Sequence, residues 1–248
     1  MVEKYPIDII IPVFNEGKSI VNVLKLLEEK VNTKFRVLIC YDFDEDTSIS
    51  VVKEKNFTFP ISFIKNKSSG PHSAVISGFE GSNSECVIVF PGDDISNQGI
   101  LDEMYAEFKA GNEIVVASRF MKGGSMIGCP LVKSIFVRAA SYTLFYLSSI
   151  PVRDASNGFR LFSTKVLENI EIESSEGFTY SLELLVKCQR IGWKIGEIPA
   201  SWIERTEGKS SFKLFYWLPK YLKWYFFGLA TYWLKRRAET VKLKKLNR

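Results

Sequence analysis

Short apolar runs alternate with helical segments along the first half of the chain. The runs are rich in β-branched and aromatic side chains and lie at residues 7–13, 35–41, 61–64, 87–90 and 114–117. The predicted helices between them lie at residues 19–27, 48–56, 74–80 and 100–108. Strands that alternate with helices in this way predict an α/β fold with a mostly parallel sheet and right-handed crossovers.

Composition excludes several classes of protein. Apolar residues make up 46% and charged residues 25% of the 248 positions, which is typical of a globular protein rather than a disordered one. A net charge of +5 is too small for a polycation built to bind nucleic acid. The four cysteines form no CxxC pair and there is one histidine, so no zinc site is predicted. Cys40 and Cys86 fall inside predicted strands, as reduced cysteines of a cytosolic protein do.

Two carboxylates follow directly on the run at residues 87–90. Pro91 and Gly92 end this predicted strand, and Asp93 and Asp94 come next. Ligands of open α/β sheets bind at this carboxyl end of the strands. Adjacent carboxylates raise each other's pKa unless a cation lies beside them, so Mg²⁺ or Mn²⁺ carrying substrate phosphates is one interpretation. A solvated acidic turn is the alternative, and it is favoured for an isolated Asp-Asp pair.

A second acidic loop, residues 42–48, follows the predicted strand at residues 35–41. Because the carboxyl ends of parallel strands meet at one edge of a sheet, both acidic loops are expected at the same edge. The sequence contains neither a GxGxxG nor a GxxxxGK[ST] motif, which disfavours a dinucleotide site and a P-loop NTPase.

Eight motifs occur in a fixed order between residues 5 and 212. They lie at residues 11–16 (IPVFNE), 42–48, 70–78, 93–96 (DDIS), 117–124, 154–162 (DASNGFRLF), 197–199 (EIP) and 205–210 (RTEGKS). Together they resemble family 2 glycosyltransferases of the GT-A fold, and within them the dolichol-phosphate-mannose synthase-like, polyprenyl-phosphate branch. The resemblance implies a Rossmann-like, mostly parallel sheet flanked by helices.

The resemblance also implies roles for individual residues. The nucleotide-sugar donor would be contacted by Pro12, Asn15, Glu16, Asp42, Asp44, Gly70 and Asp93, with Asp42 reading the base. The catalytic residues would be Asp94, Arg119 near the diphosphate, and Asp154. Phosphate and acceptor groups would be bound by Arg138, Arg160, Arg205, Lys209 and Ser210. A Mg²⁺ or Mn²⁺ cofactor would be held by Asp94 and Asp93. Taken singly, each of these side chains is better explained as a surface charge or turn residue.

The sequence departs from the family pattern at two places. Gly92 stands where the DxD motif usually has its first acid, so donor diphosphate and water would have to complete the metal coordination. This departure also leaves weak metal binding or lost activity open. Phe43 and Asp44 stand where the family often has glycine and serine, which leaves the base preference open.

The chemistry of such a transferase depends on its acceptor. Charge that builds on the departing diphosphate must be neutralised, and in-line attack inverts the anomeric carbon. A lipid monophosphate acceptor is already anionic and needs no strong base, whereas a hydroxyl acceptor needs one. Asp154 is then the candidate base, and the alternative is that Asp154 only orients Arg160 by ion pairing.

The C-terminal part predicts contact with a membrane surface. Residues 212–234 are aromatic and apolar but are interrupted by Lys213, Lys220 and Lys223. The uninterrupted run 224–234 is shorter than the ~20 residues of a membrane span, and its Trp and Tyr content suits the headgroup region. A basic tail follows. We therefore expect a catalytic domain at residues 1–211 and interfacial helices with a polybasic tail at residues 212–248. Packing of these helices on the sheet or on a second subunit is the alternative.

Three functions follow from these observations. The leading hypothesis is an inverting transferase that moves a hexose from a GDP- or UDP-sugar to polyprenyl or dolichyl phosphate. It would act as a peripheral protein on the cytoplasmic face of an anionic membrane, because neither a signal peptide nor a full span is predicted. The alternatives are transfer to a hydroxyl of a glycan or glycolipid, and a catalytically silent nucleotide-sugar-binding protein. Nucleic acid is not an expected partner, and a homo-oligomer is compatible with the sequence.

Overall fold

A mixed β-sheet lies at the centre of the computed structural model, which describes residues 4–203 and 214–244, with the side chains of residues 214–217 left undescribed. Within these residues the sheet has seven strands in the order β3-β2-β1-β4-β7-β5-β8. The strands are β1 (Ile7–Pro12), β2 (Phe35–Tyr41), β3 (Ile61–Lys65), β4 (Cys86–Val89), β5 (Ile114–Ser118), β7 (Arg160–Ser163) and β8 (Ile195–Pro199). A separate parallel pair is formed by β6 (Ser125–Ile127) and β9 (Ser201–Ile203).

The direction of the strands confirms the predicted α/β class. Neighbouring strands run parallel from β3 through β2 and β1 to β4, and β5 runs parallel to β8. Only β7, among the strands described, runs antiparallel to its neighbours β4 and β5. The carboxyl ends of β1, β2, β4 and β5 therefore meet at one edge of the sheet.

Helices cover both faces of this sheet. They are α1 (Ser19–Lys30), α2 (Thr47–Lys53), α3 (Pro71–Gly81), α4 (Leu101–Lys109), α5 (Leu131–Ser148), α6 (Thr164–Asn169), α7 (Thr179–Ile191) and α8 (Leu214–Trp233). Alternation along β1 supplies both cores: Ile9 and Ile11 pack with α1, α2 and α4, whereas Ile10 belongs to the core with α3 and α7. The predicted free thiols Cys40 and Cys86 are buried in β2 and β4.

The last described helix is part of the second core. Trp224 on α8 is 2% exposed and lies in one apolar cluster with Leu144 of α5 and Leu184 of α7. Gly228 allows close approach, since an added Cβ would lie 3.1 Å from a Val186 methyl group. The predicted division at residue 211 falls outside the described residues, and α8 shares its core with the catalytic domain. None of the described helices is long and apolar enough to span a membrane.

Candidate functional site

An open cleft of about 1160 Å³ lies at the edge where β1, β2, β4 and β5 end. Pro12, Glu16, Asp42, Asp93 and Arg119 line it. The two acidic loops therefore lie at the same edge of the sheet, as the parallel arrangement led us to expect.

The loop after β1 is tied to the start of α2. The backbone N–H of Asn15 donates to Oδ2 of Asp46 at 3.0 Å, and that of Glu16 donates to Oγ of Ser48 at 3.0 Å. A third hydrogen bond joins the same two segments, because Oδ1 of Asn15 accepts from the N–H of Thr47 at 3.2 Å. Asn15 has a φ of 54°, a left-handed conformation that asparagine tolerates better than most residues. Asn15 thus shapes the loop that carries Glu16 into the cleft.

Asp46 was not singled out from the sequence, yet it joins the loop after β1 to the start of α2. It is 1% exposed, and its Oδ1 accepts from the N–H of Ser48 at 2.8 Å, which caps α2. The signal that could have identified it is the Asp-Thr-Ser string at the start of a predicted helix, a common N-cap pattern.

Asp42 joins two loops at the side of the cleft. Its Oδ2 accepts from the N–H of Gly70 at 2.9 Å, and its Oδ1 accepts from Nδ2 of Asn66 at 2.7 Å. Gly70 has a φ of 98°, where a side chain would be strained, so glycine is needed directly before α3. Asp44 is instead solvent-exposed and forms an ion pair with Lys65 at 2.5 Å. Asp42 and Gly70 line the cleft, whereas Asp44 lies outside its lining.

The two carboxylates after β4 differ in environment. Asp93 is exposed and lines the cleft. Asp94 is partly buried, and its oxygens accept from the N–H of Ser96 at 2.8 Å and from N–H and Nδ2 of Asn97 at 3.1 and 2.6 Å. Burial raises the pKa of Asp94, although these hydrogen bonds oppose the shift. Asp94 holds the loop in shape while Asp93 is presented to the cleft.

The two carboxylates suit a hard cation whose other ligands are substrate phosphates and water. Within the described residues no group of three His, Cys, Asp or Glu side chains forms a metal site. Two adjacent carboxylates remain, and each carboxylate oxygen has lone pairs for more than one hydrogen bond or metal contact. Mg²⁺ and Mn²⁺ are commonly bound by one or two carboxylates together with substrate phosphates and water. Asp93 and Asp94 fit such an ion, which diphosphate oxygens would complete.

Arg119, at the end of β5, is held by a buried carboxylate. Asp154 Oδ2 accepts from Nε of Arg119 at 2.7 Å and from its backbone N–H at 3.0 Å, and Oδ1 accepts from Nη2 at 3.0 Å. Oδ1 also accepts from N–H and Oγ of Ser156 at 3.2 and 2.9 Å. Within the described part of the chain, Nη1 of Arg119 has no hydrogen-bond partner.

This geometry corrects the base predicted at Asp154. Burial by itself raises the pKa of Asp154, but the charge and hydrogen bonds of Arg119 outweigh it, so the net shift is downward. Asp154 is fully buried, is not among the described residues that line the cleft and is ion-paired with Arg119, so it has no open path to an acceptor hydroxyl. The alternative of an ion pair with Arg160 is also wrong, because the hydrogen-bonded partner of Asp154 is Arg119.

The residues predicted to bind phosphate and acceptor groups divide into three sets. Arg160 is fully buried and donates to the backbone carbonyls of Ala155 and Ser181, so its assignment to a phosphate or acceptor group is wrong. Arg138, on α5, lies over the ring of Phe120 at 4.7 Å, beside the cleft. Outside the described residues lie Arg205, Lys209 and Ser210.

The cleft has an apolar half that the sequence did not predict. Between α5 and α8 it is lined by Phe136, Val137, Ala140, Leu144, Leu218, Leu222 and Tyr225. Lys133 stands at its margin, with Nζ 5.1 Å from the centre of the Trp202 ring. The cleft is thus charged where the strands end and apolar between the two helices.

The fold is that of known GT-A glycosyltransferases. Glucosyl-3-phosphoglycerate synthase from Mycobacterium tuberculosis, crystallised with Mn²⁺, UDP-glucose and phosphoglyceric acid, matches with a TM-score of 0.64 at 11% identity, over 91% of this chain and 80% of that one. Staphylococcus aureus TarS in complex with UDP-GlcNAc matches with a TM-score of 0.56 at 16% identity, over 84% and 60% of the two chains. The predicted GT-A fold is therefore confirmed.

Sequence comparison adds the family. The model of glycosyl transferase family 2 matches residues 8–171, and the chain belongs to this family. A dolichol-phosphate mannosyltransferase of Pyrococcus furiosus is 23% identical over 213 residues, which are 84% of this chain and 59% of that protein. A polyprenol monophosphomannose synthase of Mycolicibacterium smegmatis is 21% identical over 213 residues, 82% and 79% of the two. The chain thus spans less than two thirds of the Pyrococcus protein.

Proposed function

We propose that the protein transfers a hexose from a nucleotide sugar to a polyprenyl-type lipid phosphate at a membrane surface. One observation carries the proposal: the charged half of the cleft, with Asp93 and Arg119, continues directly into the apolar half between α5 and α8. A nucleoside diphosphate suits the first half and an isoprenoid chain suits the second. The names of the relatives, which are enzymes of dolichyl or polyprenyl phosphate, support the same acceptor.

The donor half of the cleft stabilises negative charge. Asp93 and Asp94 would hold Mg²⁺ or Mn²⁺ against the diphosphate, and the ion supplies Lewis-acid stabilisation of the leaving group when bound. Asp154 fixes Arg119 in one orientation, so the guanidinium is positioned before the donor binds. Asp42 and Gly70 form the wall where the base would lie.

The acceptor half favours a nucleophile that needs no base. Asp154, the residue predicted for proton removal, is fully occupied by Arg119 and Ser156. A lipid monophosphate is already anionic at neutral pH, and its oxygen can attack the anomeric carbon as the bond to the diphosphate breaks. Lys133 lines the cleft and Arg138 lies beside it, which places cationic groups near the entrance of the apolar half. In-line attack inverts the anomeric configuration.

Membrane contact is proposed through exposed apolar side chains of α5 and α8. These side chains are Leu131, Val132, Ile135 and Phe136 on α5 and Phe226, Tyr232 and Trp233 on α8, each at least 47% exposed. Because the same two helices form the apolar half of the cleft, a lipid chain could enter from the bilayer without crossing water. The cytoplasmic leaflet, where anionic lipids attract basic residues, is the proposed location.

A transfer assay tests the reaction. The protein is incubated with Mn²⁺ or Mg²⁺, a polyprenyl phosphate, and radiolabelled GDP-mannose, UDP-glucose or UDP-GlcNAc in turn. The expected result is label in the organic phase that depends on lipid phosphate. Label in a water-soluble or glycan product would favour a hydroxyl acceptor, and nucleotide binding without turnover would favour a silent binding protein.

A flotation assay tests the membrane surface. Ile135→Glu and Phe226→Glu place a carboxylate on the exposed faces of α5 and α8 and are expected to reduce binding to liposomes of anionic lipid. Asn56→Glu, at an exposed position after α2, adds the same charge away from these helices and serves as the matched control. Equal binding by all three variants and the unaltered protein would contradict this surface.

A further inference from the structure

Asn97 connects two parts of the cleft that are far apart in the sequence. Its Nδ2 donates to Oδ2 of Asp94 at 2.6 Å and to the carbonyl oxygen of Ser201 at 2.6 Å. Its Oδ1 accepts from the backbone N–H of Ser201 at 2.9 Å. One carboxamide therefore joins the acidic loop after β4 to the first residue of β9.

Every hydrogen-bonding atom of this carboxamide is used. Both hydrogens of Nδ2 are donated and Oδ1 accepts from a strand, in a side chain that is 4% exposed. Asn97 directly precedes the 3₁₀ turn Gln98–Ile100, yet its side chain does not cap that turn. Aspartate would lack the two donors, and serine would lack the reach. The carboxamide thus joins two segments that are distant in the sequence and does not cap the turn that follows it.

Strand β9 forms part of the wall of the cleft. Trp202, its central residue, lines the cleft beside Lys133. The residue before the strand, Ala200, donates its N–H to the carbonyl of Ser118 at 3.0 Å, next to Arg119. Residues 204–213, which contain the predicted basic loop, follow the strand directly in the sequence. The position of β9 therefore affects the part of the cleft wall that Trp202 forms.

We propose that Asn97 is a positioning residue that couples ligand binding at the acidic loop to the position of β9. Oδ2 of Asp94 is the atom that accepts from Asn97, and it is also an atom that a bound cation would use. A cation carrying a nucleotide would therefore change the bond through which Asn97 holds Ser201. The nature of the ligand rests on the proposed function, whereas the link between Asn97 and β9 does not.

Hydrogen exchange measured by mass spectrometry tests the link without ligand. In Asn97→Ala and Asn97→Leu, which both lack the acceptor oxygen, the peptide containing Ser201–Ile203 is expected to exchange about tenfold faster, because the bond to the Ser201 N–H is lost. Asn32→Ala is the matched control, since Asn32 also donates Nδ2 to an aspartate, Asp102, at 2.9 Å. Unchanged exchange at β9 in both Asn97 variants would overturn the link.

Titration with Mn²⁺ and UDP, and with Mn²⁺ and GDP, tests the coupling. In the unaltered protein, the rate of hydrogen exchange at β9 is expected to change when the nucleotide binds. In Asn97→Ala, nucleotide binding is expected to leave this rate unchanged, and the affinity for the nucleotide is expected to be about 10–100-fold lower. Faster exchange at β9 combined with unaltered nucleotide affinity would overturn the coupling. Failure of the unaltered protein to bind either nucleotide would contradict the proposed function and the coupling together, while the ligand-free exchange still decides whether Asn97 holds β9.

Discussion

Replacing Asp154 with asparagine tests whether this residue acts as a base or as the ion-pair partner of an arginine, two roles that the sequence left open. The change keeps the shape of the side chain but removes the negative charge from a site that is 0% exposed. Arg119 would remain charged with an 11% exposed side chain and would face a neutral amide. Breaking a buried pair by removing one partner typically costs about 3–5 kcal/mol, because the other charge stays buried without compensation. In a protein of this size, that corresponds to a lower melting temperature by ~10 °C.

Urea unfolding of Asp154→Asn, Arg119→Met and the double variant measures this pair. The double variant is expected to lose less stability than the sum of the single variants, because it leaves neither charge alone. Lys109→Gln breaks an ion pair with Glu85 whose side chains are 55% and 43% exposed, and it should lower the stability far less, because exposed ion pairs contribute little. A loss in Asp154→Asn as small as that of this control would refute the ion-pair account.

The contribution of the ionised Asp154 to the free energy of unfolding should depend on pH. The folded-state pKa of Asp154 is lower than its unfolded value, which is about 4. Its stabilising contribution is therefore fully present above pH ~4 and is lost as the pH falls through the lowered folded-state pKa. The stability difference between the unaltered protein and Asp154→Asn should be constant near neutral pH and should shrink in acid.

The same variant tests the catalytic role. If Asp154 only positions Arg119, Asp154→Asn and Arg119→Met should weaken binding of Mn²⁺ and nucleotide alike. Loss of turnover in Asp154→Asn, with turnover retained in Arg119→Met, would restore Asp154 as a base.

Three further predictions concern the packing of α8 and of the backbone around the site. Trp224→Ala should cost about 3–5 kcal/mol in urea unfolding, because a 2% exposed indole joins α8 to the core; Trp224→Phe should cost less. Gly124→Ala should lower the melting temperature strongly, since its new Cβ would collide with a backbone carbonyl of β5, whereas Gly99→Ala has no atom within 4 Å to meet and should not. Gly92→Asp restores the usual first acid but places a Cβ 3.2 Å from the carbonyl of Pro12; it should destabilise by about 1–3 kcal/mol in thermal unfolding, and an unchanged melting temperature would contradict this.

Much of the fold was predictable because its signals are local. Each strand of the first half was expected from a β-branched run, and the structure places β1, β2 and β4 within a residue or two of those runs. Parallel order then brought Asp42 and Asp93 to one edge of the sheet. The antiparallel strand β7 lies in a stretch for which no strand was predicted.

The site was less predictable because its partners are distant in the sequence. Arg119 and Asp154 are 35 positions apart, and Asn97 and Ser201 are 104 apart. Nothing in the spacing of charges distinguishes Arg119 from Arg160 as the partner of Asp154. That choice depends on which guanidinium the folded chain brings next to the carboxylate.

By itself, the sequence determined the class of sheet, the edge at which ligands bind and the family, because periodicity and motif order are properties of neighbouring residues. Only the tertiary structure decided that Asp154 is a partner of Arg119, that Arg160 is buried, and that α8 packs through Trp224 on the catalytic core. Burial and pairing depend on contacts between remote segments. The desolvation of a charge, which decides whether a carboxylate can act as a base or only hold an arginine, is determined by those contacts.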